Sequence, residues 1–106
     1  HSDVVVNIAG GMRVSEPAVD LAVVMAIASS ALDRPVKKGT VCIGEIGLGG
    51  EIRPVNHMEQ RIKEALRTGF THALIPASNR NSLDFVKGME LTPLSHVREA
   101  LETFSR

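Results

Sequence analysis

The chain has 106 residues, with twelve basic and twelve acidic side chains and a formal net charge of zero. That balance leaves no global field to recruit nucleic acid or an anionic membrane, so such contacts must come from local clusters. Aromatic residues make up 3%, with no Trp or Tyr, which argues against base-stacking platforms and leaves Val, Ile, Leu, Ala and Met to build the core.

Asp3 to Ala9 is short and β-branched, a strand ended by Gly10-Gly11. From Ser15 the pattern turns helical: Ser15 is placed to cap, Pro17 fits a first turn, and Ala18 to Leu32 is almost wholly apolar. This predicts a helix over Ser15–Leu32, buried on most sides, with Asp20 its one charge. Asp33-Arg34-Pro35 stops it, because proline disfavours a helical residue before it. Thr40 to Ile46 reads as a second strand and Glu51 to Val55 as a third, joined by a hairpin through Gly47-Leu48-Gly49-Gly50. The next helix runs Asn56–Thr68. Asn56-x-x-Glu59 has the form of a capping box, Met58, Ile62, Ala65 and Leu66 share one face, and Gly69 closes it. Phe70 to Pro76 is a further strand. Met89 to Leu94 is a weaker one, placed at an edge by Pro93. Ser95 caps a last helix on which Val97, Ala100, Leu101 and Phe104 follow helical spacing. Strands alternating with helices, without repeat or linker, indicate one α/β domain.

The residue chemistry is sparse. A single Cys42 argues against an internal disulfide framework and a Cys-rich zinc site, and its apolar neighbours point to a buried, inert thiol. Gly44-x-x-Gly47-x-Gly49-Gly50 lacks the order of a phosphate loop and leads into a strand, so it reads as a hairpin. His57, His72 and His96 have no metal-ligand spacing and are assigned cap and surface roles. Ser15, Ser29, Ser30 and Ser95 are read as caps or helix-packing residues. No run reaches the ~18 apolar residues of a membrane span, and no signal peptide is visible. The chain opens at His1 rather than Met, and we expect a piece of a longer protein. By residue chemistry alone the reading ends at an α/β domain without a catalytic constellation.

Several segments together are more specific. The strand Asp3–Ala9, the stretch Glu16-Pro17-Ala18-Val19-Asp20, the run Gly44 to Val55, Arg67-Thr68-Gly69, Ala73-Leu74-Ile75-Pro76 and Ser95-His96-Val97 resemble the proteolytic domain of Lon proteases in order and spacing. The resemblance covers essentially the whole chain and starts partway into that domain, the N-terminal part of which would lie upstream. It implies a two-layer Lon-protease-like (ribosomal S5 domain 2-like) α/β fold, a mixed sheet with packed helices, including a left-handed crossover against the usual rule.

Lon enzymes use a Ser-Lys dyad, in which a neutral lysine takes the serine proton. The serine motif aligns on Glu16 to Asp20, placing Ala18 at the nucleophile, and the lysine position holds Glu59. No catalytic residue is therefore carried over, and Glu59 reads as a helix-start residue four positions before Lys63.

These departures themselves resemble a family. Val6 to Pro17, Asp20-Leu21-Ala22, Ser29-Ser30, Asp33-Arg34-Pro35, the Gly44–Val55 run and Glu59 to Ala65 look like the C-terminal Lon-like domain of the bacterial RadA (Sms) family. That resemblance implies a cytoplasmic DNA repair and recombination ATPase related to RecA that promotes branch migration. The full-length protein would use ATP, magnesium and zinc, none of them bound in this fragment, and assemble as a homo-oligomeric hexameric ring.

The domain itself would be a non-proteolytic element of ring assembly and weak, sequence-independent DNA binding, with no membrane partner. The candidate DNA-binding residues are Arg34, Lys37 and Lys38 after the first helix, Arg13 before it, and Arg53 in the hairpin. The helix would separate Arg13 from the loop cluster by about 25 Å at its rise per residue, so they cannot form one patch on one subunit. Two alternatives are an active Ser-Lys peptidase, disfavoured by Ala18 and Glu59, and the N-terminal domain of a ComM-type, magnesium-chelatase-like ATPase, which shares the Gly-Glu…Arg-Pro-Val hairpin. The Gly10 to Pro17 stretch favours RadA over ComM.

Overall fold

The computed structural model describes residues 16–80 and 86–105. The strand expected at Asp3–Ala9, the Gly10-Gly11 loop and the Ser15 cap lie outside them. A 3-10 turn, Pro17–Val19, leads into α1, Asp20–Leu32. The elements that follow are β1 (Thr40–Cys42), β2 (Glu45–Ile46), β3 (Ile52–Arg53), α2 (Met58–Arg67), β4 (His72–Pro76), α3 (Ala77–Arg80), β5 (Glu90–Leu94) and α4 (Val97–Glu102), with a closing 3-10 turn at Thr103–Ser105.

The strands form two ladders. β1, β4 and β5 make a parallel sheet in that order, and β2 pairs antiparallel with β3. Both kinds of pairing expected of a mixed sheet are present, in separate ladders. The Thr40–Ile46 strand is in fact two, broken at Ile43-Gly44. Gly44 leaves the sheet to pair with the start of α1, its N–H donating to Ala18 O and its carbonyl accepting from Leu21 N, each at 3.0 Å. The third strand is shorter than expected, because Pro54 has no N–H with which to continue a ladder. Pro93 does lie in an edge strand, as β5 pairs only with β4 among the described strands.

Alternation along the strands divides the interior. Val41, Ala73, Ile75 and Leu91 pack with Met58, Ile62, Ala65 and Leu66 of α2. Cys42, Leu74 and Leu94 face the other way, onto Leu21 and Met25 of α1, Ala100 of α4 and Phe104. Helices therefore cover both faces of the parallel sheet, and the expected two-layer packing becomes three layers. The physical reason is that a parallel strand with apolar residues at both odd and even positions has two faces to bury.

The helix ends differ in detail from expectation. α1 stops as predicted, at Asp33 in the left-handed conformation (φ 53°), where Arg34 N donates to Ser29 O at 3.0 Å. Its outer face is more open than expected, with Ile27 and Leu32 about half exposed (58% and 52%). The Asn56–Glu59 capping box does not form. His57 is the residue before α2, at φ 60° and with no side-chain cap, and Glu59 pairs instead with Lys63 at 2.9 Å. The last helix is capped by His96 rather than Ser95. The His96 side chain accepts from Arg98 N at 3.1 Å, while Glu99 accepts from His96 N, completing a capping box one residue later. The unforeseen α3 carries the buried Asn79, whose side chain accepts from Val55 N (2.8 Å) and donates to Val55 O (3.2 Å).

Candidate nucleic-acid interface

Ala18 sits in the turn before α1, buried, with its carbonyl tied to Gly44. A small cleft of about 180 Å³ opens beside it, lined by Glu16, Glu45, Asn56 and Arg61 among others. Arg61 Nη1 lies 2.8 Å from Glu16 Oε1, so guanidinium and carboxylate satisfy each other there. Asp20, just after Ala18, is used structurally: its Oδ2 accepts from Ile46 N at 3.0 Å and ties α1 to the hairpin. A methyl has no proton to give up, so Ala18 supplies no nucleophile, and the Glu59 carboxylate pairs with Lys63.

The hairpin is held rigidly. Glu51 accepts from Gly49 N (3.1 Å) and from Arg53 Nη2 (3.0 Å), and His96 Nε2 lies 2.9 Å from Gly49 O. Its own backbone N–H and the Arg53 guanidinium hold the Glu51 carboxyl below the usual range. Arg53 also lies 3.7 Å from Glu45, the residue directly opposite it in the β2–β3 register. Arg53 thus stands between two carboxylates, and its surroundings are net acidic.

Arg34, Lys37 and Lys38 lie in the exposed loop from α1 to β1, before the strand that the hairpin follows. These three share one exposed loop, Arg53 stands on a different element, and Arg13 lies outside the described residues. Arg34 Nη1 donates to Phe104 O at 2.7 Å, which fixes its guanidinium while leaving further N–H donors. Lys37 reaches Glu90 at 4.0 Å with both side chains largely exposed, an ion pair of little strength. Lys38 makes no ion pair among the described residues.

Cys42 is half-buried rather than fully buried, and burial pushes its thiol up to about 12. His72 does more than occupy a cap or the surface. It is half-buried between two hydroxyls, its Nδ1 3.1 Å from Thr40 Oγ1 and its Nε2 2.7 Å from Thr92 Oγ1. Burial lowers the pKa of its imidazole, with Glu90 opposing and Lys37 reinforcing that shift. The only trace in the sequence was polar residues at strand positions, which cannot be matched without the register. Among the described residues, no three His, Cys, Asp or Glu side chains are grouped so as to hold a metal, and no helix is long and apolar enough to cross a membrane.

A family model described as subunit ChlI of Mg-chelatase matches residues 1–79. The chain is 54% identical over 100 residues to the DNA repair protein RadA of Aquifex aeolicus, covering 94% of this chain and 22% of that protein. It is 45% identical over 103 residues to the protein of that name from Bacillus subtilis, covering 97% of this chain and 22% of the relative. For the Escherichia coli protein the identity is 42% over 102 residues, with 96% and 22% covered. The chain thus spans about a fifth of the length of these relatives.

Proposed function

Because the chain belongs to the family of the Mg-chelatase subunit ChlI and resembles DNA repair proteins over nearly its whole length, we propose that it is a Lon-like, non-proteolytic domain of a DNA repair ATPase. In this reading it helps assemble a hexameric ring and contacts DNA phosphates, within a cytoplasmic protein that promotes branch migration. The observation that carries the DNA contact is the exposed loop with Arg34, Lys37 and Lys38 inside five residues. Such a cluster gives Coulombic attraction and counterion release without reading bases. Arg13 is retained as a candidate from the sequence, and Arg53 is the weakest because Glu45 and Glu51 flank it.

The test is binding of the full-length protein to double-stranded DNA across a salt series. Lys37→Glu and Lys38→Glu should each weaken binding equally for unrelated sequences and make the salt slope shallower by about one. Unchanged affinity and slope in both variants would sink the contact.

Assembly is supported by the apolar side chains left open on α1, Ile27 and Leu32, and by Leu48, fully exposed at the hairpin tip. Light scattering of the full-length protein should report a ring of six, and a clean monomer at high concentration would remove that role. Loss of proteolysis is supported by Ala18 and by the Glu59–Lys63 pair. Unfolded casein with full-length protein and ATP should stay intact. A Lon-like topology with its left-handed crossover belongs to this reading, with helices on both faces of the parallel sheet rather than in two layers, and ATP, magnesium and zinc would bind in other parts of the full-length protein.

The family match favours a second reading, the N-terminal domain of a magnesium-chelatase-like ATPase of ComM type. The parent gene separates the two: a zinc finger and RecA-like core upstream indicate RadA, and a chelatase-type ATPase downstream indicates ComM.

A further inference from the structure

On the face of the parallel sheet that meets α1 and α4, Thr40 and His72 begin β1 and β4, while Thr92 lies two residues into β5, beyond Glu90, which pairs with His72. Thr40, His72 and Thr92 form a hydrogen-bonded row across β1, β4 and β5. The row lines a cleft of about 580 Å³. Buried Met25, Leu74 and Phe104 supply apolar surface to the same cleft, and the exposed Arg34, Lys37 and Glu90 form its rim. A large pocket with apolar walls and a few convergent polar groups is the form that small-ligand sites take.

The hydrogen-bond inventory sets what the row can offer a charged ligand. A neutral imidazole has one N–H and one acceptor nitrogen, so one threonine accepts from His72 while the other donates to it. Burial lowers the pKa of this ring, so the second proton has to be drawn on by a bound anion; with it, both threonines become acceptors and both hydroxyl hydrogens are released to point into the cleft. An anion there would be stabilised by two O–H donors, the imidazolium and the remaining N–H groups of Arg34. Glu90 opposes an anion, but Lys37 stands beside it at 4.0 Å, leaving Arg34 and the charged ring uncompensated. A carboxylate has two oxygens for this donor set, and a phosphoryl group has three. A backbone phosphodiester, tethered on both sides, would be confined to the rim. The cleft also has room for an organic body on the apolar surface.

We propose that this cleft binds a phosphomonoester, with its phosphoryl group against the Thr40–His72–Thr92 row and its organic body on Met25, Leu74 and Phe104. The ester can come from a DNA 5′ end or from a free phosphorylated metabolite. Only the first case rests on the DNA reading above.

The experiment is calorimetry on the full-length protein with three probes: inorganic phosphate, a 5′-phosphorylated DNA duplex, and the same duplex with 5′-hydroxyl ends. A DNA-end source predicts that the phosphorylated duplex binds about tenfold more tightly than its hydroxyl counterpart. It also predicts proton uptake, seen as heats that depend on the buffer's ionisation enthalpy. His72→Gln and Thr92→Val should each abolish that preference. Lys37→Gln, at an exposed position where folding is not at stake, should reduce it several-fold. Phosphate binding that all three substitutions weaken, without any end preference, supports the proposal with a free ester as ligand. Binding of both phosphate-bearing probes that ignores all three substitutions overturns it. Affinity for the hydroxyl duplex reports separately on the DNA reading.

Discussion

Arg34 donates from Nη1 to the carbonyl of Phe104 at 2.7 Å, joining the loop after α1 to the closing turn of the chain. The same loop is held from inside by Ser29, whose Oγ donates to the Arg34 carbonyl. The cationic loop is therefore anchored at one residue and open at Lys37 and Lys38, so stability and ligand contact can be separated by mutation.

Arg34→Ala should lower stability by about 1 kcal/mol, the net worth of such a hydrogen bond, and lower the melting temperature accordingly. Lys38→Ala should leave the melt unchanged. If both variants weaken DNA binding and only the first melts earlier, the loop has separate structural and electrostatic parts.

Two glycines with positive φ should respond differently to alanine. At Gly69 (φ 108°) an added Cβ meets nothing within 4 Å, so Gly69→Ala costs only backbone strain, about 1 kcal/mol. At Gly50 (φ 88°) the Cβ would fall 2.8 Å from the His96 ring, adding a clash to that strain. Urea denaturation should place Gly50→Ala clearly below Gly69→Ala. Equal midpoints would mean that the hairpin does not rest on His96.

Asn79→Ala should cost about 1–3 kcal/mol, because it leaves the Val55 N–H without its acceptor in a part-buried site. Asn79→Asp can still accept from Val55 N but, when ionised, brings a carboxylate against Val55 O. Its denaturation midpoint should therefore recover as pH falls, in contrast to the alanine variant.

The shifted groups predict how stability depends on pH. For His72 the folded pKa is depressed from 6.5, so the unfolded chain binds the proton more readily and stability declines as pH falls below about 6.5. Glu99 is also depressed, from 4.5, by the backbone N–H groups of Ser95 and His96. Its contribution is present above about 4.5 and is lost as pH falls through the folded value. Denaturation midpoints measured from pH 8 to pH 3 should show both losses. His72→Gln should remove the first and Glu99→Gln the second.

Much of the local architecture was legible in the chain. The apolar face Met58, Ile62, Ala65 and Leu66 predicted α2, Asp33-Arg34-Pro35 its stop for α1, and the Gly47–Gly50 loop the β2–β3 hairpin, all of which the structure contains. The pairing of Glu59 with Lys63 was also readable, since it depends on residues four apart on one helix. The caps expected at Asn56 and Ser95 do not form, because each helix starts one residue later: His96 caps α4, and His57 precedes α2 without a side-chain cap.

For the candidate site, the sequence alone determined what chemistry was available: a methyl at Ala18, a carboxylate at Glu59, and three cations in one loop. Tertiary structure decided which of these charges stand free and which are matched. Arg53 is neutralised because the hairpin register sets Glu45 opposite it, and His72 meets Thr40 and Thr92 because β1, β4 and β5 lie side by side. Hydrophobic periodicity is a property of a few consecutive residues, so it survives in the bare sequence. The partners of His72 and Arg34 lie 20 to 70 residues away and are selected only when burial of both sheet faces fixes the strand order.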